Sequence, residues 1–268
     1  MSNNSSQPYF ITPHPGNPDN PLFVFLPGMD ETGKELMSFQ TAGLETAFDV
    51  RCFVIPPNNL TTWDELSQQV VTLTQAELEK APHSIVYLCG ESFGACIALQ
   101  VALKVPQLWE RIILINPASS FHRVPWLNSG SLLFPLVPKL FYELFSFTAL
   151  PFLAPLDRLE PAARQALLKS VQDAPQKTVN WRLSLLREFR IDATQLHLTL
   201  IQPVLLIASQ GDIILPSVKE VQHLAKILPN ARLVTLPNCG HACLVETGIN
   251  LLKILQNENF LNFHPKIF

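Results

Sequence analysis

The sequence predicts an α/β domain: a mostly parallel sheet with helices on both faces and an inserted helical cap. Three features predict it. Short apolar runs recur along the chain, most of them closed by Pro, Gly or Asn. Amphipathic stretches alternate with these runs, and strict alternation of strand and helix implies parallel pairing. One long, proline-punctuated apolar stretch then interrupts the alternation between residues 118 and 201. The 268 residues suffice for one such domain with an insertion, and a second catalytic domain would not fit comfortably.

Residues 1–20 are polar and rich in Pro and Asn, so a flexible segment is expected there. They contain neither a basic n-region nor an apolar h-region, so the expectation is a cytoplasmic protein, at most peripheral to a membrane. The sheet core is expected over residues 21–117 and 202–258. Residues 22–26 read as a strand buried on both faces, ended by Pro27-Gly28 and followed by a loop at 28–33 and an amphipathic stretch at 34–47. Residues 50–55 make the next strand, closed by Pro56-Pro57. Thr61 or Thr62 caps a helix carrying Leu66, Val70, Leu73 and Leu78, which Pro82 ends. A strand at 85–89, a helix at 95–105 and a strand at 111–115, stopped by Asn116-Pro117, complete the first part. After the insertion come a strand at 204–208, a helix at 217–228, a strand at 232–236 and a last helix to about residue 255.

Within the insertion, residues 124–156 hold only two charged side chains, Lys139 and Glu143, against seven aromatic ones. Prolines at 125, 135, 138, 151 and 155 interrupt it too often for a membrane-spanning helix, which needs about 20 mainly apolar residues. The expectation is a cap at 118–201 that roofs an apolar pocket, with Trp126, Phe134, Phe141 and Phe145 as substrate-binding residues. The alternative is a helical hairpin that only packs on the core, and contact with a membrane is compatible with either. Residues 160–170 and 178–189 read as ordinary amphipathic helices.

Hydrophobic residues make up 47% and charged residues 15% of the chain, with a mean hydropathy of +0.19, which points to a large core or an apolar working surface. The net charge of −3 and the absence of any Lys/Arg run argue against a nucleic-acid partner. Five cysteines, three of them in expected strands or helices (Cys52, Cys89, Cys96), suit reduced, buried thiols. Cys239 and Cys243 flank His241, but without a second pair at ligand spacing no metal is expected.

The chemistry centres on Gly90-Glu91-Ser92-Phe93-Gly94, a G-x-S-x-G turn between an apolar strand and a helix. Such a turn holds its serine in strained geometry above the sheet, with the following helix N-terminus aimed at developing negative charge. A nucleophilic serine needs a base and an acid that orients the base. Asp212 follows the strand at 204–208 and His241 the strand at 232–236, giving the order Ser, Asp, His of the α/β-hydrolase fold. Asp157 and Asp192 are fallback acids, both in the expected cap. Backbone N–H groups of Met29 and Phe93 are the expected oxyanion donors. Acyl-enzyme chemistry of this kind implies neither cofactor nor metal.

The strings FLPGMDETG, YLCGESFGACIAL, ILINPASSF, SQGDIILPS and NCGHACLVE resemble the hydrolase-like domain of the phytyl ester synthase and diacylglycerol acyltransferase family of α/β hydrolases. The resemblance spans about residues 21–250 and is weakest in the cap. It implies fatty acyl groups as substrates, Ser92, Asp212 and His241 as triad, and an acyl chain beneath the cap. Glu31 stands where the resemblance leads one to expect glycine. Larger members carry a second, acyltransferase-like domain that does not follow here, so the expected activity of the chain by itself is ester hydrolysis first. Acyl transfer to a long-chain alcohol or diacylglycerol comes second, and a non-catalytic lipid-binding module third.

Overall fold

The computed structural model describes residues 7–29, 33–81, 83 and 85–262. Its strands are β1 (Tyr9–Ile11), β2 (Leu22–Leu26), β3 (Asp49–Val54), β4 (Val86–Glu91), β5 (Arg111–Ile115), β6 (Val204–Ser209) and β7 (Ala231–Leu236). They form one sheet in the order β1-β3-β2-β4-β5-β6-β7, parallel throughout except where β1 runs antiparallel to β3. Register pairs Leu26 with Gly90, Glu91 with Ile115, and Ser209 with Leu236. The carboxyl ends of β2, β4, β5, β6 and β7 therefore share one edge, the edge where open α/β sheets place ligands.

Strands β2, β4, β5 and β6 read as apolar runs because both of their faces are covered. Along β2, Leu22, Val24 and Leu26 enter one buried cluster, while Phe23 and Phe25 enter the other. The alternation of period two continues in β5, where Ile112 and Leu114 face one way and Ile113 and Ile115 the other. The first cluster is closed by helices α2 (Trp63–Lys80), α3 (Phe93–Lys104) and α10 (Ser217–Ile227). The second is closed by α11 (Leu251–Asn257) and by Leu44, Ala47 and Phe48 beyond the short α1 (Lys34–Gln40).

Thr62, not Thr61, caps α2. Its side chain accepts from the Glu65 N–H, and the Glu65 carboxylate accepts from the Thr62 N–H at 2.7 Å, a reciprocal box that satisfies both donors. Thr61 is taken up by Asn59 instead.

One expectation is corrected, and one stretch of open form is resolved. The N-terminal segment expected to be flexible contributes β1, whose Phe10 packs edge-on against Phe53 at 6.1 Å. Three residues on a sheet edge are too few to set up a recognisable periodicity. The amphipathic stretch at 34–47 is not one helix: α1 stops at Gln40, and Gly43, at φ 87°, turns the chain into a single 3-10 turn at Leu44–Thr46. Phe260, in a tail that has no sequence signal, is 1% exposed in the second cluster beneath the Arg111 guanidinium.

Between β5 and β6 lies a helical insertion comprising α4 (Pro125–Leu133), α5 (Lys139–Thr148), α6 (Leu150–Leu153), α7 (Pro161–Asp173), α8 (Gln176–Glu188) and α9 (Ala193–Thr199). Leu150, Ala154, Ala163 and Leu167 pack with Leu36 and Val245 in a third cluster, which seats the insertion on the sheet edge. Indole N–H groups fasten α8 to the core: Trp63 donates to Leu185 O at 2.9 Å and Trp181 to Thr61 O at 3.0 Å. Among the described residues, no helix is long and apolar enough to cross a membrane.

Candidate active site

Ser92 sits between β4 and α3 at φ 53° and ψ −112°, a conformation non-glycine residues avoid and one held only by its surroundings. Its N–H donates to Ile115 O at 2.9 Å and its carbonyl accepts from the Ala118 N–H at 3.2 Å, so the end of β5 grips the turn. The flanking glycines are steric necessities. A Cβ at Gly94 would be driven into the carbonyl oxygens of Leu26 and Pro27, and one at Gly90 into the backbone of Gly94 and Ala95.

The loops after β6 and β7 bring the other two groups to Ser92. The Gln210 N–H donates to Leu236 O at 3.0 Å and the Gly211 N–H to Cys239 O at 2.9 Å, which ties the loops together. His241 Nε2 lies 2.8 Å from Ser92 Oγ, and its Nδ1 lies 2.7 Å from Asp212 Oδ2. An ionised Asp212 only accepts, so Nδ1 carries the proton and Nε2 faces Ser92 as the acceptor, the arrangement of a general base. Asp212 Oδ1 accepts from the N–H groups of Ile214 (2.9 Å) and Leu215 (3.0 Å), and Oδ2 also accepts from the Ser217 hydroxyl. Burial opposes the charge of Asp212. The facing His241 and these hydrogen bonds outweigh it and hold the carboxyl below its ordinary range.

Four polar residues that sequence reasoning passed over build the frame. Asn116, in the left-handed region at φ 44°, donates to His241 O at 2.7 Å and to Ser209 Oγ at 3.0 Å, and accepts from the Ser209 N–H at 2.8 Å. Buried Glu246 accepts from the Gly240 N–H at 2.6 Å and pairs with Arg158 of the insertion at 2.7 Å. Ser217 secures Asp212. Arg182 of α8, 3% exposed, donates to Met29 O and, at 3.4 Å, to Ile55 O. Only the positive-φ tolerance of Asn and the position of Ser217 at the start of a helix were visible locally.

Gly28, Met29, Ser92 and His241 line one cavity of about 640 Å³. Phe93 is the first residue of α3, where no helical carbonyl reaches its N–H. Trp126 and Phe134 line the cavity, together with Leu127, Tyr142 and Phe152. Phe141 does not; it is 61% exposed, because its neighbour Tyr142 takes the inward face of α5. Phe145 lies in α5 with its side chain outside the described residues, as is Glu31. No Asp, Glu, Lys or Arg is among the described residues lining the cavity, and the hydroxyls of Tyr142 and Ser131 are spent on Ala174 O (2.6 Å) and Asn128 O (2.9 Å).

The fallback acids lie elsewhere: Asp157 is exposed, and Asp192 caps α9 by accepting from the Thr194 and Gln195 N–H groups at 2.7 and 3.0 Å. Burial and the nearby Glu246 push the Cys239 thiol up to about 11, so it stays protonated near neutral pH. Among the described residues, no group of three or more His, Cys, Asp or Glu is placed to hold a metal ion.

The sequence profile of the alpha/beta hydrolase fold matches residues 56–247. The chain belongs to the alpha/beta hydrolase family. Among curated proteins, this alpha/beta hydrolase is 32% identical over 272 residues to phytyl ester synthase 1, chloroplastic, of Arabidopsis thaliana, covering 89% of this chain and 37% of that protein. It is 27% identical over 264 residues to phytyl ester synthase 2 of the same plant, with the same coverage. The chain thus spans little more than a third of the length of these two relatives. Over 166 residues it is 30% identical to the pimeloyl-[acyl-carrier protein] methyl ester esterase of Nitrosomonas europaea, covering 58% of this chain and 64% of that one. A solved structure from work on carboxylesterases of Nitrososphaera gargenis superposes with a TM-score of 0.75 at 14% identity, covering 97% of both chains. A thermophilic esterase from Thermogutta terrifontis gives 0.68 at 20% identity, covering 94% of this chain and 92% of that one. At these identities the two structures show the alpha/beta hydrolase fold alone.

Proposed function

We propose that the chain is a serine esterase that cleaves carboxylic esters of long apolar acyl groups through an acyl-enzyme on Ser92. The observation that carries this reading is the Ser92–His241–Asp212 relay opening into a cavity whose described lining holds no charged side chain. In the proposed reaction His241 Nε2 takes the Ser92 proton as Oγ attacks the ester carbonyl. The N–H groups of Met29 and Phe93 stabilise the tetrahedral oxyanion, aided by the N-terminus of α3. Collapse passes the proton from His241 to the departing alcohol, and water activated by the same imidazole then releases the fatty acid. The α4–α7 part of the insertion acts as the roof over the acyl chain.

A second reading is favoured by the 32% identity to phytyl ester synthase 1: the acyl group passes from Ser92 to a long-chain alcohol instead of water. Both readings share the acyl-enzyme and differ in the acceptor that reaches it. Product analysis separates them. The pure protein is incubated with a long-chain acyl ester and a fatty alcohol, with Ser92→Ala as control. Free fatty acid, lost in the variant, is the expected product; a wax-type ester would replace hydrolysis with transfer. No Ser92-dependent product would defeat both.

A further inference from the structure

The outer side of α4, α5 and the turn between them is apolar and uncovered. Leu132, Leu133, Leu136, Leu140, Phe141 and Leu144 are each between 55% and 77% exposed, a concentration that folded proteins seldom leave in water. The charges within it, Lys139 and Glu143, lie 3.6 Å apart one helical turn from each other. With 9 and 10 residues, α4 and α5 are too short to span a bilayer, and their geometry suits lying along its surface.

The cavity identifies what covers this face. Trp126, Phe152 and Ile213 line the cavity and are also 61%, 50% and 61% exposed, so its mouth opens among apolar side chains, one of them on α4, the helix that carries Leu132 and Leu133 of the patch. A protein partner or a second copy seated there would close the mouth. A lipid surface would leave it open and present an apolar ester at the mouth of a cavity that reaches Ser92 and whose described lining holds no charged side chain.

We propose that the α4–α5 face docks the protein on a zwitterionic lipid surface, from which the ester substrate enters the cavity without crossing water. The choice of a lipid occupant and the substrate route rest on the esterase reading; flotation reads the docking without turnover. Insertion is driven by apolar burial, because the face carries one paired cation and no basic cluster to attract anionic lipid.

The test is flotation with phosphatidylcholine vesicles in low and high salt. It compares the wild-type chain with the triple variant Leu133→Ser, Leu136→Ser and Leu140→Ser, at positions outside the cavity lining. Wild type is expected to float at both salt concentrations, and the variant to partition at least about tenfold less. The variant is expected to keep its thermal midpoint and its turnover of a short, water-soluble ester, while losing turnover of a long-chain ester presented in vesicles. Failure of wild type to float, or equal flotation of the variant, would overturn the docking surface. So would a wild-type dimer in sedimentation that the variant abolishes. Flotation is repeated with Ser92→Ala, which needs no turnover: binding without any Ser92-dependent cleavage would defeat the esterase reading and leave the docking surface standing.

Discussion

The guanidinium of Arg182, buried in α8 of the insertion, donates a hydrogen bond to the carbonyl of Met29, the residue after Gly28 at the carboxyl end of β2. Because Trp63 and Trp181 pin α8 to the core, this contact holds the loop that offers the proposed oxyanion donor from a rigid element. In the proposed reaction the insertion would therefore bear on the oxyanion loop as well as on the roof of the cavity.

Replacing Arg182 by Met keeps most of the apolar stem and removes the donors. The carbonyl of buried Ile55 and that of half-buried Met29 lose a partner, at a cost of about 1–3 kcal/mol in stability. If Arg182 positions Met29, kcat falls about 10- to 100-fold, less than the loss of an oxyanion donor itself, with KM changing little. Steady-state kinetics on the folded variant check this. A lowered thermal midpoint with unchanged kcat would reduce Arg182 to a structural role.

The depressed ionisation of Asp212 has a defined pH signature. Its unfolded value is about 3.9, and its folded value lies lower, so between the two the unfolded chain holds more protons and stability rises with pH. The contribution is present in full above about pH 4 and is lost as pH falls through the folded value. Urea unfolding across this range is therefore expected to be flatter in Asp212→Asn than in wild type, and turnover at neutral pH to drop about 10⁴-fold. Ser217→Ala removes one of the hydrogen bonds that lower the carboxyl and should narrow the window from below.

Two glycines give opposite results on substitution. Gly94→Ala forces a Cβ into the Leu26 and Pro27 carbonyls, backbone that cannot yield, and is expected to cost about 3 kcal/mol or more. Gly130→Ala in α4 meets nothing within 4 Å and gains helix propensity, for a stabilisation of up to about 1 kcal/mol. Thermal melts of the pair decide both.

What could be read in advance follows from how locally each feature is encoded. β2, β4, β5 and β6 are buried on both faces, and each announces itself as an apolar run. Ser92, Asp212 and His241, named from their places after strands, are brought within hydrogen-bond reach because parallel strands end on one edge. The frame was illegible for the converse reason. Asn116 meets His241 across 125 residues, Arg158 meets Glu246 across 88, and Arg182 meets Met29 across 153, and no local pattern records such pairings. Asn116 read only as a strand stop. In the insertion, near-uniform apolarity hid which side faces inward, so Phe141 and Tyr142 could not be told apart.

The central claim is a covalent acyl-enzyme on Ser92, and intact-mass measurement tests it most directly. The protein is mixed briefly with an activated long-chain acyl ester, quenched in acid and mapped by peptide. The account predicts one acyl adduct on the peptide containing Ser92, decaying as free fatty acid appears and absent in Ser92→Ala. Ester cleavage with no adduct, or an adduct that survives in Ser92→Ala, would contradict it.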